Sequence, residues 1–142
     1  MARSYTILVA EDNAAQSTLY ELALTSDGHT VVVVPDGAEA LRYLKENTPD
    51  LIILDVSMPK LSGIDVCGRI RRVKRLKDVP VIILTSLEDA KTQRLAQLVE
   101  VDAFVNKPLV SGKLRRLVTE LIDKRGQDLP GPDAPLPQRF VE

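Results

Sequence analysis

Residues 51–63 read LIILDVSMPKLSG: four successive apolar residues, then Asp55, then a stretch punctuated by Pro59. A strand exposed on one face alternates apolar and polar residues. A run that is apolar at every position from Leu51 to Leu54 suits a strand covered on both faces, as when crossover helices flank a parallel sheet. Four more short runs rich in β-branched residues recur at Thr6 to Val9, Thr30 to Val34, Val81 to Leu84 and Ala103 to Val105, each separated from the next by enough chain for a helix. The alternation predicts an α/β fold of five strand-helix units.

The intervening segments carry helix signals of differing quality. After Ser111, a candidate cap, Leu114, Leu117, Val118, Leu121 and Ile122 follow the i, i+3, i+4, i+7, i+8 stripe of a helix laid on a core. Asp36 and Glu39 have capping-box spacing and open a helix over Ala38 to Glu46, while Leu19, Leu22 and Ala23 mark the expected inner face of the first helix. The third helix is expected over about Gly63 to Val73 and the fourth over about Asp89 to Val99, with ends set less firmly by pattern.

The 142 residues, 44% of them hydrophobic, suit one domain. Nineteen basic against twenty acidic residues leave a net charge of -1, so no global field recommends nucleic acid or an anionic membrane as partner. Cys67, the one cysteine, makes no internal disulfide, and no cationic start followed by an apolar stretch marks a signal peptide or a membrane span; the cytoplasm is the expected location. Between Gly126 and Gln138 stand four of the nine prolines and two glycines. The division expected is therefore a domain over 1–125 and a Pro/Gly-rich tail or linker over 126–142, in which Phe140 and Val141 are the candidates for docking.

In parallel α/β sheets, ligands bind in the crevice outside the carboxyl ends of the strands. Those ends carry Glu11-Asp12, Asp55, Thr85-Ser86 and Asn106-Lys107-Pro108, which gathers three acids, a hydroxyl and an ammonium on one edge. Three carboxylates brought close repel by roughly a few kcal/mol at an effective dielectric of ~20, and a hard divalent cation relieves that. Magnesium, usually held by one or two carboxylates with water and phosphate oxygens, suits an acid pair beside a phosphorylated aspartate better than an all-protein calcium cage does. Phosphoryl transfer depends on positioning and charge neutralisation, and Lys107 and Thr85 supply the ammonium and hydroxyl needed opposite the metal.

Taken together, LVAEDN (8–13), LIILDVSMPKLSG (51–63), VIILTS (81–86) and FVNKP (104–108) make the chain resemble the response-regulator receiver family of two-component signalling, over roughly residues 5 to 124. The resemblance implies a flavodoxin-like, doubly wound, five-stranded parallel sheet of order 2-1-3-4-5. It implies Asp55 as phosphoacceptor, charged by a histidine kinase or phosphotransfer protein, with Lys107 and Thr85 acting on the phosphoryl group. Glu11, Asp12 and Asp55 would hold Mg2+, the backbone carbonyl of Ser57 completing its coordination. Thr85 and the mobile aromatic Phe104 would form the switch, and Pro108 would follow a cis peptide. Output is implied through the face of the fourth helix, fifth strand and fifth helix, to a downstream protein, an output domain or a second copy in a homodimer, without direct nucleic-acid or membrane contact. Such a module phosphorylates and dephosphorylates itself and turns over no small molecule. The chain departs from the family at Glu100-Val101, where members usually have Gly-Ala, and at Ala103, where receivers of many DNA-binding regulators carry a second acid.

Blander readings exist for each residue alone. Acids after strands are mostly caps or turn residues, Phe104 would by default be core, and Thr85 is a β-former at a strand end. His29 has no partners at ligand spacing and reads as structural. The basic run Arg69, Arg71, Arg72, Lys74, Arg75 and Lys77 reads as solvated surface, with partner docking as the lesser alternative. A phosphatase of the haloacid dehalogenase type wants an acid two residues after its aspartate, where this chain has Ser57. A flavodoxin needs a phosphate loop after the first strand, where Glu11-Asp12 would repel the phosphate. A non-catalytic pseudo-receiver fits poorly, because no active-site position is missing.

Overall fold

The computed structural model describes residues 4–58, 61–86, 90–107, 110–127 and 140–141. Pro59, Asp89, residues 128–139 and Pro108 with its expected cis peptide lie outside the described residues. The chain alternates β1 (Thr6–Ala10), α1 (Ala14–Ser26), β2 (Thr30–Val34), α2 (Gly37–Glu46), β3 (Leu51–Asp55), α3 (Gly63–Ile70), β4 (Val81–Thr85), α4 (Ala90–Leu98), β5 (Ala103–Asn106), α5 (Ser111–Gln127) and a short β6 (Phe140–Val141). The strands are all parallel, in the order β2-β1-β3-β4-β5-β6. The first five thus give the 2-1-3-4-5 order, with β6 added outside β5.

Every residue of β3 and β4 is buried, which is what their unbroken apolar runs require. Alternate residues go to opposite faces. Leu8, Ile52, Leu54, Ile83 and Phe104 pack with α2, α3 and Ala96 of α4; Ile7, Ile53, Leu84 and Val105 pack with Tyr20 and Leu24 of α1 and with the stripe of α5. Each leucine or isoleucine so covered contributes about 1.5–3 kcal/mol of transfer free energy. β2, at the sheet's edge, is only partly covered.

The inner face of α1 differs from the expectation. Ala23 is buried as expected, but Leu19 and Leu22 are 59% and 61% exposed, and Ser17, Tyr20 and Leu24 take the inner face in their place. Burial of the two hydroxyls is tolerated because each finds a partner: Tyr20 donates to Gln16 Oε1 at 2.9 Å and Ser17 to Ala14 O at 3.1 Å. α5 opens at Ser111 itself, with Leu114 N bonding Val110 O, so the cap position falls to Val110. α3 ends at Ile70, three residues short of Val73. Asp36 does cap α2, accepting from Glu39 N at 2.8 Å. His29 is structural, its Nδ1 accepting from Tyr5 N at 3.3 Å.

Two members of the basic run do more than solvate. The Arg71 guanidinium donates to the carbonyls of Lys77, Val79 and Glu100 at 2.7–3.1 Å and pairs with Asp102, whose Oδ2 also accepts from Val81 N at 2.7 Å. Arg75 donates to the carbonyls of Leu44 and Lys45 in the last turn of α2 and of Asn47 just past it. Burial, partly offset by Val81 N and Arg71, raises the Asp102 carboxyl above its ordinary value.

The end of α4 shows what replaces the usual glycine. Val101 N bonds Ala96 O and Glu100 N bonds Gln97 O, the pairing of a Schellman motif, and Glu100 holds the left-handed position with φ 58°. A side chain there is strained, and Arg71 compensates by donating twice to the Glu100 carbonyl. Glu100→Gly should therefore raise stability by about 0.5–1 kcal/mol, the removed strain exceeding the added unfolded-state entropy. A melting temperature equal to or below wild type would contradict this account of the turn. No helix among the described residues is long and apolar enough to cross a membrane.

Candidate functional site

The sheet order reverses between β1 and β3, and the crevice at that switch point is where open α/β sheets hold ligands. Ala10 is in register with Leu54, Asp55 with Leu84, and Thr85 with Asn106, so all the strand ends reach one level. Glu11 and Asp12 follow β1, Asp55 ends β3, Thr85 ends β4, and Lys107 follows β5.

The acids converge. Glu11, Asp12 and Asp55 each offer a carboxylate oxygen within 4.8 Å of the others. At that separation two full charges repel by about 3–4 kcal/mol at an effective dielectric of ~20, less where Asp12 faces solvent. Lys107 Nζ answers part of this charge, donating to Glu11 Oε1 at 2.8 Å and to Asp55 Oδ2 at 3.0 Å. Backbone amides answer more: Asn13 N donates to Glu11 Oε2 at 3.2 Å and Ser57 N to Asp55 Oδ1 at 3.1 Å. Burial still pushes the Glu11 carboxyl up, with Asp55 adding to it against Lys107 and Asn13. For Lys107 burial works to lower the ammonium's pKa, but its bonds to Glu11 and Asp55 outweigh that and the net direction is upward. Three anionic oxygen donors around one ammonium leave a net negative pocket of hard ligands, which fits a small divalent cation.

Thr85 is fully buried at the end of β4, beside Asp55's strand. Phe104 is 2% exposed and lies in the core under α3 and α4, so its ring is inward in this structure. Ser57 meets Asp55 through its amide.

Sequence reading set Gly63 at the start of the third helix but missed why it has to be glycine. A Cβ there would lie 2.5 Å from Asp55 O and 3.1 Å from Leu54 Cβ, so only glycine lets α3 start against the end of β3. The adjoining Ser62-Asp65 capping box, with Asp65 N donating to Ser62 Oγ at 3.2 Å and Ser62 N to Asp65 Oδ2 at 3.3 Å, fixes that start. The signal was present as the final S and G of LIILDVSMPKLSG. Gly63→Ala should destabilise the fold by about 1–3 kcal/mol through overpacking against backbone. Chemical denaturation measures this, and an unchanged midpoint would show that α3 can retreat at no cost.

Residues 7–119 match the family model described as the response regulator receiver domain. The transcriptional regulatory protein AfsQ1 of Streptomyces coelicolor is 37% identical over 121 residues, covering 85% of this chain and 52% of its own length. The alkaline phosphatase synthesis transcriptional regulatory protein PhoP of Bacillus subtilis is 36% identical over 102 residues, covering 72% and 42%. The chain spans about half the length of the curated relatives it matches. Among solved structures, the signal receiver domain of a histidine kinase from Syntrophus aciditrophicus superposes with TM-score 0.81 at 30% identity, covering 92% of this chain and 98% of that one. The receiver domain of a sensor histidine kinase from Pseudomonas aeruginosa, solved with magnesium in its active-site cleft, gives 0.78 at 28%, covering 85% and 99%.

Proposed function

Since the chain belongs to the response regulator receiver domain family of two-component signalling, we propose that it accepts a phosphoryl group on Asp55 from a phosphohistidine donor, a histidine kinase or a phosphotransfer protein. The observation that carries this is Lys107 Nζ set between Glu11 and Asp55, with Asp12 completing the acid cluster. A carboxylate oxygen of Asp55 attacks phosphorus, the P–N bond of the donor breaks as the P–O bond forms, and the charge gained by the product sits among groups already in place. Lys107 is positioned to turn from the free carboxylate to a phosphoryl oxygen. Ser57 N holds the other Asp55 oxygen and so orients the acid. Glu11, Asp12, Asp55 and the Ser57 carbonyl would hold Mg2+, which when bound neutralises charge on the phosphoryl oxygens. Water attack on the acyl phosphate later returns the carboxylate and inorganic phosphate, so the module resets itself without turning over a small molecule. The working place is the cytoplasm, where such donors and Mg2+ are available.

Output follows from charge. Phosphorylation adds about -1.5 to -2 charges and three acceptor oxygens beside Thr85. The Thr85 hydroxyl is drawn to a phosphoryl oxygen, and the arrangement of Phe104, α4, β5 and α5 shifts with it, to be read by a downstream protein, an output domain or a second copy. Phe104 has no hydroxyl to anchor outside, so burial alone favours the inward ring already seen, and the change is a population shift of ~1 to 3 kcal/mol. Thr85→Ala should still be labelled at Asp55, if more slowly, yet lose the response of the α4–β5–α5 amides to beryllofluoride. An NMR response identical to wild type would sink this mechanism while sparing the phosphoacceptor. Magnesium-dependent labelling by acetyl phosphate, read as the mass of one added phosphoryl group, tests the function itself.

A further inference from the structure

The sheet holds one strand more than a 2-1-3-4-5 order accounts for. β6 lies parallel to β5 on its outer edge, with Phe104 opposite Phe140 and Val105 opposite Val141. Lys107 N donates to Thr85 O at 2.8 Å. Because amides alternate in direction along a strand, those of Val105 and Lys107 turn toward β4 and those of Phe104 and Asn106 turn outward. The register then sets the Val141 amide against the Phe104 carbonyl, and the Val141 carbonyl against the Asn106 amide. The route starts from α5, which runs about 25 Å back along the sheet to the end where a parallel strand begins; because α5 lies on the face of α1 and not on that of α3 and α4, the link from β5 to β6 has the opposite hand to the other crossovers, the rarer left one. Residues 128–139, between Gln127 and Phe140, can span up to about 40 Å, more than the return needs.

The segments before and after β5 carry exposed apolar residues. Leu95 and Leu98 on α4 are 41% and 78% exposed, and Val110 ahead of α5 is 67% exposed. An open strand edge beside exposed leucine and valine is a surface for strand addition. We propose that the β5 edge is this domain's strand-accepting surface and that the chain's own Phe140–Val141 segment is its resting occupant, which a partner using that edge must displace. That the covered edge is also the output edge rests on the receiver reading above; that it is covered does not.

Amide hydrogen exchange on the unphosphorylated full chain, resolved by NMR, tests this without any phosphodonor. Val141→Pro removes the amide that faces Phe104 O, and exchange at Phe104 and Asn106 should then accelerate about tenfold or more. A chain ending at Gln127 should show the same increase. Ile52 and Ile53 in central β3 should stay protected in both variants, which separates local release from unfolding. Unchanged exchange at Phe104 and Asn106 in either variant overturns the proposal, as does protection that grows with protein concentration, which would assign the edge to a second copy. Neither result touches Asp55 labelling, and failed labelling would leave the exchange result standing.

Discussion

Asp55→Asn should abolish phosphoryl labelling and leave the fold in place. The amide keeps the shape of the carboxylate but not its nucleophilic oxygen, so labelling by acetyl phosphate should fall at least about a hundredfold, to background. Two electrostatic changes oppose each other in stability. Loss of the Asp55 charge relieves repulsion from Glu11 and Asp12, and it also removes one of the two acceptors of Lys107. Lys107 keeps Glu11 at 2.8 Å, so no ammonium is left unpaired and the net change should stay within about 1 kcal/mol. Intact-mass measurement with and without acetyl phosphate, beside a thermal melt, checks both halves. Undiminished labelling at another residue would refute the assignment of Asp55.

The second large effect concerns the cation. Asp12→Ala should weaken Mg2+ binding about a hundredfold or more, because it takes one of three carboxylates from a site that needs their charge. In metal-free buffer the same substitution should raise stability slightly, by up to about 1 kcal/mol, since Asp12 is solvent-exposed and its repulsion is screened. The chain contains no tryptophan, so calorimetry is the direct measurement. Wild-type affinity should also be pH-dependent. Proton and cation compete for Glu11, whose carboxyl is raised, so binding should weaken on acidification from a higher pH than an ordinary glutamate would give. A chelator-treated Asp12→Ala protein melting below wild type, or a variant that still binds Mg2+ normally, would count against the cluster as the cation's seat.

The strands and the convergence of the candidate site residues were legible for one reason: both are written in short contiguous stretches. Leu51 to Asp55 states burial on two faces and then an acid, and the register of parallel strands brings such endings together without any further information. What depends on choice among similar residues was less visible. On α1, leucines outrank a tyrosine and a serine in hydrophobicity, yet Tyr20 and Ser17 are the buried ones because their hydroxyls have partners one turn back. What depends on distance along the chain was not visible at all. Arg71 resembles its neighbours in the basic run until the carbonyls of Lys77, Val79 and Glu100 are brought around it. Gly63 lay in plain view, but its need for a missing side chain emerges only when α3 is set against Asp55 O. The pairing of β6 had no pattern to announce it beyond two apolar residues after a run of prolines.

Arg71 also fixes one end of the path into and out of α4. By joining Glu100, Asp102, Lys77 and Val79, its guanidinium pins the chain just past the last turn of that helix to the ends of two neighbouring segments. A helix fastened at one end behaves as a lever, and here the fulcrum lies at the end remote from Thr85. The nine residues of α4 make an arm about 13 Å long, so a tilt of about 10° displaces its Ala90 end by roughly 2 Å and its Leu98 end hardly at all. On the switch proposed above, the Ala90 end, which begins five residues after Thr85, is the one that a small tug by that hydroxyl would move most.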